Sequence, residues 1–134
     1  MSEPNPYTYS QTSDDIQIDV EPYYVPERSN PGLDYYFFAY RIRITNRGTR
    51  TCQLLHRHWI IRDGQGREEH VRGEGVVGEQ PVLTPGGHYE YTSFCPLNTP
   101  TGNMRGSYEM MDDEKNRFSV KVPVFFFRNP AFLH

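Results

Sequence analysis

The chain has no apolar run approaching the roughly twenty residues of a membrane-spanning helix. Its first residues, Ser2-Glu3-Pro4-Asn5-Pro6, lack the basic and apolar regions of a secretory signal. These two absences argue against membrane insertion and point to a cytoplasmic address. Cysteine is scarce, with Cys52 and Cys95 the only two among 134 residues. In a cytoplasmic protein such a pair is expected as two buried free thiols and not as a disulfide framework. Basic charge is not in excess either: 14 Lys and Arg stand against 17 Asp and Glu, a net charge of −3. The bases are scattered among the acids, which argues against a nucleic-acid surface. No segment sustains the 3.6-residue periodicity of an amphipathic helix.

What is abundant points to sheet. Ten Tyr and eight Phe accompany eleven Gly and eleven Pro, large aromatics with frequent turn formers. Residues 1–13, rich in Pro, Ser, Thr, Asn and Gln, read as a flexible N-terminal segment, and residues 14–134 as a single domain. From Asp15 onward, Ile16, Ile18 and Val20 alternate with Gln17, Asp19 and Glu21, the pattern of a strand with one buried face. Residues 35–46 place Tyr36, Phe38, Tyr40, Ile42 and Ile44 on one side and Arg41 and Arg43 on the other. Asn46-Arg47-Gly48-Thr49 then reads as a tight hairpin connection. Further strands are expected over about 51–62, 67–71 and 88–94, around Met104–Met110, and from Phe118 until Pro123 interrupts. The stretch 95–103 reads as irregular.

Seven or more antiparallel strands with turns at regular spacing fit an all-β, immunoglobulin-like or fibronectin type III-like β-sandwich, with a closed barrel as the alternative. The antibody framework itself is absent, because Cys52 begins the strand of Trp59 instead of lying on the strand before it.

The candidate sites are few. Gly73-Glu74-Gly75-Val76-Val77-Gly78 has the G-x-G-x-x-G form, but Pro81 and Pro85 forbid the helix that a dinucleotide fold needs next. Two readings of Gly73, Gly75 and Gly78 stay open: an anion-binding nest of backbone amides, opposed by the flanking Glu74 and Glu79, or a bulge and turn where the chain changes sheets. His56 and His58 lie two apart on a strand, on one face, a spacing at which two imidazoles can reach one metal. His70 and His88 are further ligands only by elimination. Asp112, Asp113 and Glu114 lack the alternating spacing of a calcium loop and read as a solvated hairpin tip. No G-x-S-x-G occurs and neither cysteine carries a nucleophile signature, so neither an enzyme nor a cofactor is expected. The tail Val124–Leu133 carries aromatics on both parities of a strand. Either the last strand is simply buried on both faces, or the second face is covered by the N-terminal segment with Tyr7 and Tyr9, another subunit of a homo-oligomer, or a docked protein partner.

The order of motifs carries a resemblance. Residues 40–46 (YRIRITN), 53–63 (QLLHRHWIIRD) and 71–81 (VRGEGVVGEQP) are followed by 83–86 (LTPG), 102–108 (GNMRGSY) and 118–125 (FSVKVPVF). Together they resemble the ApaG family over about residues 14 to 128. The resemblance implies a bacterial single-domain sandwich of the fibronectin type III type and a non-enzymatic interaction module. It also implies a link to cobalt resistance and magnesium efflux, and a pyrophosphate or nucleotide ligand at Gly73, Gly75 and Gly78.

Overall fold

In the computed structural model, which describes residues 7–133, the alternating segments become nine strands. In chain order these are β1 (Tyr9–Ser13), β2 (Ile16–Tyr24), β3 (Tyr36–Asn46), β4 (Cys52–Asp63) and β5 (Glu68–Glu74). They continue with β6 (Val82–Leu83), β7 (His88–Leu97), β8 (Thr101–Asp112) and β9 (Arg117–Arg128). One sheet has the order β1-β2-β3-β7; the other runs β5-β4-β8-β9, with β6 attached to the start of β4. All pairings are antiparallel. No ladder joins the sheets, so the architecture is a sandwich and not a closed barrel.

The core lies between the sheets and is made of the residues that alternation placed inward. Ile16, Ile18 and Val20 of β2 and Phe38, Ile42 and Ile44 of β3 face Leu54, Met104, Tyr108, Val120 and Phe125 of the second sheet. A fully buried side chain such as Phe38, Leu54 or Phe125 contributes about 1.5–3 kcal/mol. Trp59 is the centre of an aromatic group, edge-on to Tyr40 at 5.9 Å, Tyr108 at 5.8 Å and Phe125 at 6.2 Å. Across the ladder from it stands Gly106, where a Cβ would lie 2.1 Å from the His58 carbonyl oxygen and 2.7 Å from the indole. Only a residue without a side chain leaves room there for Trp59.

Four local expectations change. The flexible N-terminal segment is ordered from Tyr7: β1 pairs with β2, and the Tyr7 ring lies over Arg41 and Arg43 at 5.0 and 4.8 Å. That cover explains why Asp19, on the outward parity of β2, is fully buried and pairs with Arg43 at 3.2 Å. Residues 1–6 of the segment lie outside the described residues. Secondly, Asn46–Thr49 is not a hairpin, because β3 and β4 belong to different sheets. The buried Asn46 side chain holds the crossing, donating to the carbonyls of Arg50 (2.7 Å) and Leu83 (3.0 Å) and accepting from the Gly48 amide (2.9 Å). Thirdly, Cys95, Pro96 and Leu97 continue β7 instead of starting an irregular stretch. Finally, Pro123 does not end β9. The strand is at a sheet edge, the register shifts opposite it between Met104 and Gly106, and both features tolerate a missing donor.

Cys52 and Cys95 are buried free thiols, one in each sheet. Among the described residues no helix is long and apolar enough to cross a membrane.

Candidate functional site

β4 is the strand that organises the second sheet, with β5 on one side and β8 on the other. A register shift between Leu54 and His56 turns His56 and His58 outward while Trp59 remains in the core. The same irregularity aims the Leu55 carbonyl at the Gly-rich loop, where it accepts from the Gly75 amide at 2.9 Å and from the Gln80 side chain at 2.9 Å.

That loop is a closed turn. Val76 and Glu79 exchange backbone hydrogen bonds of 2.8 and 2.9 Å around Val77 and Gly78, both with positive φ (45° and 83°). This is the twist of a two-residue hairpin turn. Gly75 has φ +63°, and a Cβ there would lie 2.2 Å from the Glu79 carbonyl oxygen. Gly73 sits in β5 against the Arg57 guanidinium, which donates at 2.9 Å to the carbonyls of both Glu74 and Gly75. The amides of Gly75, Val76 and Glu79 thus donate to the protein's own carbonyls, and the glycines have structural reasons to be where they are.

Beside the loop, the outer face of the five-stranded sheet holds a cleft of about 700 Å³. It brings together Gly73, His56 and His58, which the sequence singles out, with Arg72, Ser107 and Arg117, which it does not. Gly75 and Gly78 are not among its walls. The two histidines turn to different partners. His56 Nδ1 lies 3.2 Å from Glu109 Oε1, which also accepts from Arg117 Nη1 at 2.7 Å. The hydrogen bond from His56, followed by the Arg117 charge, holds the Glu109 carboxyl below its ordinary value. His58 Nε2 lies 2.9 Å from His70 Nδ1 of β5, with the rings stacked at 5.2 Å. One ring must donate and the other accept, so the pair shares a proton. Partial burial, then Arg72, then His70 push the His58 imidazolium to a lower pKa than usual.

The register shows a pattern across strands. Arg72 stands opposite His58, His58 opposite Ser107, and Ser107 opposite Lys121. This row crosses all four long strands of the sheet and contains donors but no acid. It escapes a reading of the sequence because each strand contributes one residue and pairing sets the alignment.

The remaining candidates lie elsewhere. His88 is on β7 of the other sheet. The Asp112 carboxylate accepts from the amides of Glu114 (2.9 Å) and Asn116 (3.0 Å), and Arg50 pairs with Asp113 and Glu114, so the acidic tip forms a self-bonded turn. In the tail, Phe125 and Phe127 are buried, whereas Val124 and Phe126 remain 44% and 43% exposed on the outer face of the five-stranded sheet. The N-terminal strand reaches the edge of β9 but not that face. The Tyr9 hydroxyl accepts from the Phe126 amide at 3.4 Å and Ser13 Oγ from the Lys121 amide at 3.2 Å.

Residues 26–112 match the model of the ApaG domain. Protein ApaG of Paramagnetospirillum magneticum is 52% identical over 122 residues, covering 91% of this chain and 94% of the relative. Protein ApaG of Bordetella pertussis is 49% identical over 120 residues, covering 90% and 92%. The crystal structure of the putative ApaA protein from Bordetella pertussis superposes with a TM-score of 0.85 at 49% identity, covering 87% of this chain and 94% of that one. The C-terminal domain of wzt, at 9% identity and a TM-score of 0.53, shares the fold alone. On the matched domain and on these identities over nine-tenths of its length, the chain belongs to the ApaG family.

Proposed function

We propose that the protein is a non-enzymatic binding module of the cytoplasm that docks a protein partner on the outer face of its five-stranded sheet. The observation that carries this reading is the cleft of about 700 Å³ on that face, to which β4, β5, β8 and β9 all contribute. Its walls combine arginine, histidine and serine with Glu74, Glu109 and the half-buried ring of Phe118, and Val124 and Phe126 stand exposed on the same sheet face. Arginine and aromatic residues around an open depression are the composition of a docking surface. The Gly-rich loop beside the cleft closes on its own hydrogen bonds and serves as a rim. On this proposal the link to cobalt resistance and magnesium efflux, which the family resemblance carries, acts through the partner.

The test is a photo-crosslinking amino acid introduced in cells at Ser119, in the cleft, and at Thr92, exposed on the opposite sheet. The expected result is a discrete protein adduct from position 119 and none from 92. An adduct of two copies of the chain from position 119 identifies the partner as a second subunit. Adducts from position 92 alone, or from neither position, contradict the reading.

A further inference from the structure

We infer that the row Arg72–His58–Ser107–Lys121 recognises an acidic, extended segment of the partner, with carboxylates at positions i and i+4. This inference rests on the reading that a protein docks on this face. Neighbouring strands lie about 4.8 Å apart, so the three steps from Arg72 to Lys121 span about 14 Å. Four residues of extended chain cover about 13–14 Å. A peptide crossing the strands therefore sets its first and fifth side chains over Arg72 and Lys121, and its third over His58 and Ser107.

Charge completes the argument. Arg72 and Lys121 are exposed, and among the described residues neither has an ion-pair partner. In the flanking rows Arg105 pairs with Glu68 at 3.1 Å, and Glu109 of the row Glu74–His56–Glu109–Ser119 is taken up by Arg117 at 2.7 Å, which leaves Glu74 as that row's one acid outside an ion pair among the described residues. In a protein of net charge −3 these two free cations, in register on the face that carries the cleft, complement an acidic ligand. Guanidinium and imidazole donors suit carboxylates, and Ser107 adds a neutral donor between them. A free pyrophosphate is too short to touch both ends of the row.

The test is the binding of a fluorescent Thr/Glu peptide, with Glu at alternate positions, to the full chain, followed by anisotropy at low and moderate salt. The expected result is saturable binding that weakens with salt and falls at least tenfold in the Arg72→Glu, Lys121→Glu double variant. Lys115→Glu, on the exposed β8–β9 turn, leaves it unchanged, and circular dichroism confirms that each variant folds. A peptide of the same composition with its acids contiguous binds more weakly. Equal affinity of the double variant, equal binding of the contiguous peptide, or stronger displacement by inorganic pyrophosphate or an oligothymidylate overturns the inference. Crosslinks at Ser119 that persist when the peptide fails discard the acidic motif and leave the docking face standing. Their absence discards both.

Discussion

The hydroxyls of Tyr91 on β7 and Tyr108 on β8 meet at 2.6 Å between the two sheets, a buried hydrogen bond from side chain to side chain within the core. One donates and the other accepts, and Tyr108 has no exposed surface. Removing either hydroxyl leaves its partner buried without its tyrosine, at a cost of about 1–3 kcal/mol. Tyr91→Phe and Tyr108→Phe are each expected to lower stability in urea unfolding by that amount. The double variant loses less than the sum of the two, because the second change removes an orphan.

The same burial makes the fold sensitive to alkali. Desolvation raises the phenol of Tyr91 well above its ordinary value and raises that of Tyr108, while the Cys95 thiol is pushed up to about 12. A pKa raised in the folded state gives stability that is complete below the unfolded value and lost as pH climbs towards the folded one. Stability is therefore expected to hold up to about pH 9 and to decline steadily above it. Cys95 resists alkylation at neutral pH until the chain unfolds. Rapid labelling of Cys95 in the native protein at neutral pH contradicts this.

Gly106 is the position where the sequence gives least and the packing demands most. Gly106→Ala forces a methyl into the His58 carbonyl and the Trp59 ring and is expected to cost about 1–3 kcal/mol. The indole fluorescence of Trp59 shifts with it. A variant with wild-type stability and emission contradicts the packing described.

His58 faces Arg72 and His70 from β5 and Ser107 from β8. Its imidazole is expected to titrate below the ordinary histidine value, and to move up in Arg72→Gln, where one source of repulsion is gone. Protonating His58 adds a cation to the row, so an acidic peptide binds more tightly as pH falls. Imidazole resonances followed through a pH titration check both; an unmoved His58 in the variant argues against the assignment.

How much of this was legible in the sequence depends on whether the signal was local. The alternation of Ile16, Ile18 and Val20 and of Phe38, Tyr40, Ile42 and Ile44 marked strands and core directly, since parity is a property of one strand. Asn46-Arg47-Gly48 reads as a hairpin because turn chemistry does not say whether the next strand stays in the same sheet; Leu83, 37 residues on, decides that. The N-terminal segment looked loose because its attachment is to distant residues, Val20 and Arg43 among them. His56 and His58 were visible as a pair, but their partners Glu109 and His70 come from neighbouring strands and follow from register. The same holds for Arg72 and Lys121.

The most direct test follows the amide shifts of the isotope-labelled full chain in parallel titrations with the alternating Glu peptide, inorganic pyrophosphate and zinc. Saturable shifts with the peptide, confined to His58, Arg72, Ser107, Lys121 and their neighbours, are the expected result. Shifts with pyrophosphate confined to Gly73–Glu79, or with zinc at His56 and His58, in the absence of any response to the peptide, would contradict the account.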